Sequence, residues 1–479
     1  MTLDDQTRRE LEQALGRRLD RRDFLRIAAL GGTAAGMSAL IAACGSGTAS
    51  SAPPSTASSA SLAPSSAPSA SSAPSVSAGT ATGRPIKVGF VSPQTGPLAG
   101  FGEADKFVFD GITAALKDGI QVGDKLHPIQ IVYKDSQSDP NRAASVAGEL
   151  ITTDKIDIML VESTPETTNP VADQCEANGV PCLSTVAPWQ PYFFARQADP
   201  ANPKEFTWTY HFFWGLEDII AVFLDMWGQV TTNKKVGGLW PNDGDGNAWS
   251  DPKTGFPPAI TGAGYTITDP GRYGNGTPTD DFSAQIGAYK TAGVEVLTGV
   301  PIPPDFTTFW TQAHQQGFKP KIASIGKALL FPSSVDALGD LGDGMSTEVW
   351  WSPSHPFKSS ITGETAKSLA DSYTTVTTKQ WTQPIGFVHA LFEVATDALK
   401  RAKDIEDKAA IRDAIAATNL ATIVGQVAWT GKPFKNIAKT PLVGGQWGKG
   451  TSFKYDLTIV SNKDHPDIPA TGTMRPIPG

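Results

Sequence analysis

From Ile86 onward the sequence repeats one unit: a short apolar run of strand length, a turn, then a helical stretch. Ile86-Lys87-Val88-Gly89-Phe90-Val91 is the first run, and Ser92-Pro93-Gln94-Thr95-Gly96-Pro97 is the turn that ends it. The stripe of Phe107, Ile112, Ala115 and Leu116 predicts a helix over 102–117. Strands are expected over 129–133, 156–161 and 180–184, with helices over 141–153 and 168–178 between them. This alternation demands βαβ units and a parallel sheet, because parallel neighbours can be joined only by a crossover. The pattern restarts at Leu216. Helices over 216–230, 281–292 and 305–316 alternate with strands over 235–240, 295–299 and 321–325. Further helices are expected over 367–375, 386–402 and 408–418, followed by strand-like pieces around Trp429 and Gln446-Trp447. The body is therefore α/β, with two lobes that each hold a sheet.

The segment before Ile86 is built differently. From Gly45 to Arg84, 14 of 40 residues are Ser, 10 are Ala and 5 are Pro, and Leu62 and Val76 are its only sizeable apolar side chains. Such a stretch buries too little to offset its ordering entropy, and reads as a flexible tether with a span of roughly 35 Å. Ahead of it, Asp20-Arg21-Arg22-Asp23-Phe24-Leu25-Arg26 precedes an uncharged stretch over 27–43. The twin arginines with Phe-Leu resemble a twin-arginine export signal. Leu40-Ile41-Ala42-Ala43-Cys44 resembles the lipobox of bacterial lipoproteins, in which the cysteine becomes the lipidated first mature residue. Residues 1–43 are expected to be a signal peptide and 44–85 the lipidated Cys44 with its tether. The expected location is extracytoplasmic, at the membrane through a lipid.

A net charge of −8 and a pI near 5.4 argue against a nucleic-acid partner, which needs a basic footprint. His127, His211, His314, His355, His389 and His465 are scattered without ligand spacing, so no metal site is expected. No Walker A, Gly-x-Gly-x-x-Gly, Gly-x-Ser-x-Gly or His-Glu-x-x-His run occurs. Ser324-Ile325-Gly326-Lys327 and Lys253-Thr254-Gly255 match motifs of penicillin-recognising enzymes. They come in the reverse order, and the serine ends a strand instead of opening a helix, so both read as chance. No cofactor is implied and the chain is expected not to be an enzyme.

Several segments together carry a family resemblance. They are Ile86-Lys87-Val88-Gly89-Phe90, Thr95-Gly96-Pro97-Leu98-Ala99, the acidic loop Tyr133 to Pro140 closing in Asp139-Pro140, Thr167 to Asp173, and Phe282 to Ile286. In this order they resemble the type I periplasmic binding proteins, most of all the branched-chain amino-acid binding proteins of ABC importers. The resemblance spans most of 86–450. It implies two Rossmann-like lobes joined by three hinge crossings, lobe one being 86–206 plus 349–425 and lobe two 207–348 plus 426–479. It also implies a monomer that captures a small organic solute, amino-acid-like or a carboxylate or aromatic acid, and presents it to the transmembrane subunits of a permease. A sensory role on the same clamshell, feeding a receptor, is the first alternative, and a periplasmic enzyme on the same scaffold the second.

Ligands of open α/β sheets sit beyond the carboxyl ends of the strands, so the loops there hold the expected site. Glu162 to Thr168 opens a helix, and free N–H groups and hydroxyls at such a start suit a carboxylate. By the resemblance, Thr164 and Thr167 bind the ligand carboxylate, flanked by Pro165 and Glu166. Thr185 and Ala187 form the second binding loop, and Phe101 covers the ligand side chain. Trp189 either lines the cleft or packs against its lobe. Asp245 lies where the family often has a Tyr and would suit an amine or hydroxyl. The family's amino-acid binders place a Glu near 324–328, whereas this chain has Lys327. If Lys327 faces the ligand, that ligand lacks an α-amino group or carries a second negative charge; otherwise Lys327 points to solvent. Trp189, Trp240, Trp350 and Trp351 near strand ends hint at a flat or aromatic ligand. Cys175 and Cys182 are a candidate disulfide in an exported protein.

Overall fold

The computed structural model describes residues 81–274 and 278–479. The signal peptide, Cys44 and nearly all of the tether lie outside them. Within the described residues two large sheets carry the architecture. The first has six strands in the order 437–438, 209–212, 182–185, 158–162, 86–92 and 129–135, every neighbouring pair parallel. Its central strands are buried on both faces: all five residues of Ile158–Glu162 and all four of Cys182–Thr185 are buried. That is the pattern a strand covered by helices on both sides must have.

The second sheet has seven strands in the order 266–268, 235–239, 296–299, 322–325, 346–349, 443–449 and 455–461. Its first five strands are parallel, and the last two are added antiparallel. The mostly parallel sheets match the sequence expectation. Helix boundaries agree to within a few residues for Leu216–Gly228, Pro384–Arg401 and Lys408–Ala416. The helix expected over 102–117 is divided into Ala99–Gly102 and Asp105–Ala115.

The chain crosses between the two sheets three times among the described residues. Strand Thr209–Phe212 belongs to the first sheet, and Leu216–Gly228 packs on the second, so Phe213–Gly215 is one crossing. Strand Ser346–Val349 belongs to the second sheet, and Pro384–Arg401 packs on the first, so another begins at Trp350. Lys439–Leu442 links strand Ile437–Ala438 to strand Val443–Lys449 and is the third. The lobe boundaries expected at 206/207 and 425/426 shift accordingly. Thr209–Phe212 and Ile437–Ala438 complete the first sheet, where they pair with each other in parallel.

Two other expectations change. The ordered body begins before Ile86: Ala81–Thr82 pairs with Lys125–Leu126, and Arg84 donates to Asp157 at 2.8 and 2.9 Å. Cys175 and Cys182 are not joined, and both are buried free thiols. The helix over 165–178 turns Cys175 inward onto strand Cys182–Thr185, where both sulfurs pack with Val171, Ala172 and Val180 as small apolar groups. Among the described residues no helix is long and apolar enough to cross a membrane.

Candidate functional site

At the carboxyl end of strand Ile158–Glu162, Thr164 takes an extended backbone and Pro165 starts the helix that runs to Asn178. Proline fits this first position because its missing N–H has no partner there anyway. The helix stops at Gly179, whose φ of +67° is left-handed. Across from it, the segment after strand Lys235–Leu239 forms a short helix, Gly244–Trp249. Asp243 caps that helix by accepting from Gly246 N at 2.7 Å. The two helix starts meet: Gly244 N donates to Glu166 Oε1 at 2.6 Å, a bond between lobes.

Behind this contact lies a narrow chamber of about 20 Å³, room for about one water between the closed lobes. Lobe one supplies Phe101, Thr164, Val186 and Pro188, and lobe two Asp245, Trp249, Val300, Lys327, Leu330 and Glu348. Phe213, Trp214 and Trp350 complete the wall, and all three sit on hinge crossings. Several polar atoms in this wall are buried without a partner: Thr164 Oγ1, Asp245 Oδ1 and the indole Nε1 of Trp214, Trp249 and Trp350. Buried polar atoms are ordinarily satisfied, so these five in one wall lack a partner that the chain itself supplies.

Lys327 is the main correction to the sequence reading. It is 4 % exposed and faces the chamber, which excludes the solvent-pointing alternative. Its ammonium is not free for an anionic ligand, however. Nζ lies 3.0 Å from Asp243 Oδ2 and 2.8 Å from Asp245 Oδ2. Burial works against its charge, but Asp243, Asp245 and Glu166 outweigh burial and hold it protonated above its ordinary value. Asp245 is raised by burial, with Lys327 opposing and Glu166 and Asp243 reinforcing. Lys327 has φ +61° after Gly326, and its N–H donates to Glu348 Oε1 at 3.1 Å. Burial also raises the Glu348 carboxyl.

Of the residues expected at the site, Phe101, Thr164, Asp245 and Lys327 line the chamber, and Glu166 stands at the lobe contact. Pro165 packs near Gly244, and Thr167 is buried just behind Thr164. Three others turn away. Thr185 Oγ1 donates to Phe212 O at 2.6 Å, tying neighbouring strands of the first sheet. The Ala187 carbonyl accepts from His211 Nε2 at 2.7 Å. Trp189 Nε1 donates to Glu217 Oε1 at 3.2 Å, so its ring packs against Phe194 and Phe434. Of the other tryptophans considered, Trp240 is core and Trp351 packs on Gly386 and Trp381, leaving Trp350 at the chamber. Ser324 is also core, since its hydroxyl accepts from Trp227 Nε1 at 2.9 Å.

Glu166→Ala removes the Glu166–Gly244 bond without touching the chamber wall. The cleft is then expected to open more readily, because a charge-assisted bond contributes about 1.5–3 kcal/mol. Small-angle scattering should show a larger radius of gyration than the parent chain, and an unchanged radius would count against a latch.

Two buried carboxyls flank the loop that leads into the site. Asp105 opens its helix and accepts from the Ser92 hydroxyl. Burial, partly offset by that bond, pushes its carboxyl up to about 8. Glu162 is pushed well up by burial and then by the Asp105 charge. Elsewhere, burial raises Glu393 to about 7 against hydrogen bonds from Ile423 and Ser360. Burial lowers His211 and His355 to about 3 and His389 to about 4.

The raised carboxyls hold protons more tightly in the folded chain. Their penalty is absent below about pH 4 and grows as the pH rises to the folded values. The depressed histidines do the reverse, with a penalty that grows as the pH falls below about 6.5. The two sets oppose each other between these limits, and above about pH 6.5 only the carboxyls act. Stability is expected to fall by about 2 kcal/mol between pH 6.5 and 8. Urea midpoints across this range check it, and Asp105→Asn should remove most of the slope.

Two α/β lobes meeting across a chamber, with residues of the hinge crossings in its wall, define a solute-binding clamshell. The family described as periplasmic binding protein matches residues 85–451, and the chain belongs to it. No curated protein sequence matches. Among solved structures, a leucine binding protein of Thermotoga maritima is similar at 19 % identity and TM-score 0.64, over 79 % of this chain and 99 % of that one. A branched-chain amino acid transporter substrate binding protein of Streptococcus pneumoniae, in complex with isoleucine, is 17 % identical at TM-score 0.59 over 79 % and 99 %. A solute binding protein of an ABC transporter of Rhodopseudomonas palustris, in complex with 3,4-dihydroxy benzoic acid, is 18 % identical at TM-score 0.60 over 78 % and 96 %. The fold is that of the type I periplasmic binding proteins.

Proposed function

We propose that this chain is the substrate-binding lipoprotein of an ABC importer, exported by the twin-arginine route and anchored through lipidated Cys44. It captures a small organic solute between its lobes and hands the closed complex to the permease, returning the solute intact. The observation that carries this reading is the chamber itself: it lies at the lobe contact, its wall includes hinge residues, and its unpaired polar atoms await a partner. A ligand touching both lobes favours the closed state by its differential affinity, which is the signal a permease reads. The long tether lets the body reach the permease while the lipid stays in the membrane.

Native mass spectrometry of the full chain after incubation with a metabolite extract tests it. A bound small molecule of constant mass, released unchanged on denaturation, is expected. A mass change on prolonged incubation would instead indicate turnover. Deletion of the adjoining permease separates import from sensing, since import predicts loss of uptake of that molecule.

A further inference from the structure

We propose that this cleft selects an organic cation, an amine or quaternary ammonium whose apolar body lies against the indoles of the chamber and whose cationic centre faces Asp245 and Asp243. This deepens the solute-binding reading and rests on it.

The charge balance of the cleft is the first argument. A second, outer cavity of about 200 Å³ meets the chamber at Lys327, which lines both. The chamber carries Asp245 and Glu348, and the outer cavity carries Glu166, Asp243 and Asp305. Among the described residues lining the two spaces, Lys327 is the single Lys or Arg, and its charge is already shared by two carboxylates. An anion entering here would meet five acidic groups and one neutralised ammonium, in surroundings where charges are weakly screened.

The second argument is the unpaired oxygen. Asp245 is 3 % exposed and uses Oδ2 for Lys327, while Oδ1 is buried without a partner in the chamber wall. An ammonium placed there gains a charge-assisted bond that nothing in the chain makes. The third argument is the wall. Trp214, Trp249 and Trp350 with Phe213 and Phe101 surround the space, and aromatic faces attract cations most when water is excluded.

The helix start at Thr164 would ordinarily favour an anion. Its first turn, however, already holds the carboxylate of Glu166. The remaining unpaired groups, Thr164 Oγ1 and the three indole N–H groups, are donors, so they fit a neutral acceptor such as a hydroxyl, ether or amide oxygen on the same ligand. The outer cavity, walled by Pro97, Leu98, Ile302 and Tyr273 beside Asp305, leaves room for a longer tail.

Two matched sets of probes test charge selection on the full chain: phenethylamine, phenylalanine and 3-phenylpropionate, and isoamylamine, leucine and 4-methylpentanoate. In calorimetric titrations at neutral pH the amine of at least one set is expected to bind about tenfold more tightly than its zwitterionic and anionic partners. Asp245→Asn should lower that affinity about tenfold, and Asp305→Asn, which leaves the Lys327 cluster intact, about threefold. Equal or tighter binding of a zwitterion or an acid overturns the inference, as does an amine affinity that neither variant changes. If no probe binds, the passenger seen by native mass spectrometry decides. A cationic one supports the inference and an anionic or zwitterionic one overturns it. The absence of any passenger from any extract overturns instead the solute-binding reading itself.

Discussion

Lys327→Met is expected to lower the unfolding free energy by about 3–5 kcal/mol, the usual cost of leaving a buried charge without its partner. Methionine keeps nearly the same length and apolar character, so the loss reports charge and not volume. Asp243 and Asp245 are both held by the one ammonium, at 3.0 and 2.8 Å, and Asp243 also caps the helix Gly244–Trp249. Without the lysine one or both carboxylates must take up a proton or draw in water. The triple variant Lys327→Met, Asp243→Asn, Asp245→Asn should recover more than half of the loss, since amides need no counter-charge. Urea unfolding of the three chains measures this. A loss below about 1 kcal/mol in the single variant would mean that water already reaches the cluster and screens it.

The neighbouring tryptophans 350 and 351 should separate stability from binding. Both are fully buried, and truncation of either to alanine is expected to cost about 3–5 kcal/mol. Trp350 packs on Phe213 and Phe387 and lines the chamber at the start of a hinge crossing. Trp351 points the other way, where its ring lies so close to Gly386 that a Cβ there would sit 2.3 Å from it. At a temperature where both variants remain folded, Trp350→Ala should weaken ligand binding at least tenfold while Trp351→Ala leaves it within about threefold. Thermal melts and titration of the ligand found by mass spectrometry give the two readouts. Equal effects on binding would place the ligand outside the chamber.

Much of the architecture was readable because it rests on local periodicity. The runs at Ile86, Ile156 and Val180, separated by helical stretches, are mostly apolar and almost wholly buried because helices cover both faces of their sheet. The site was readable where a strand's carboxyl end and the family resemblance coincided, which brought in Thr164, Glu166, Asp245 and Lys327, while Phe101 came from the resemblance alone. Phe213 and Trp214 gave no sign of themselves because a crossing has no periodicity of its own, and Trp350 stood out only as one of four tryptophans near strand ends. The one available signal was the run Phe212-Phe213-Trp214-Gly215, bulky residues between a strand and a helix where turn residues are usual. Glu348 was missed because a lone acid in the short strand Ser346–Val349 gives no sign of which sheet face it takes.

The sequence alone settled the fold class, since strand and helix periods follow from the order of apolar residues. It also supplied the resemblance to periplasmic binding proteins, which the family match over 85–451 bears out. It could not decide the partners of Lys327, because that depends on where a helix start 84 residues upstream comes to rest. Only the tertiary structure brings Asp243 and Asp245 against that ammonium and turns an apparent anion site into an acidic, aromatic one. The physical reason is range: hydrophobic patterning acts between residues a few positions apart, whereas charge pairing in a buried cleft is set by whichever segments the fold brings within about 3 Å.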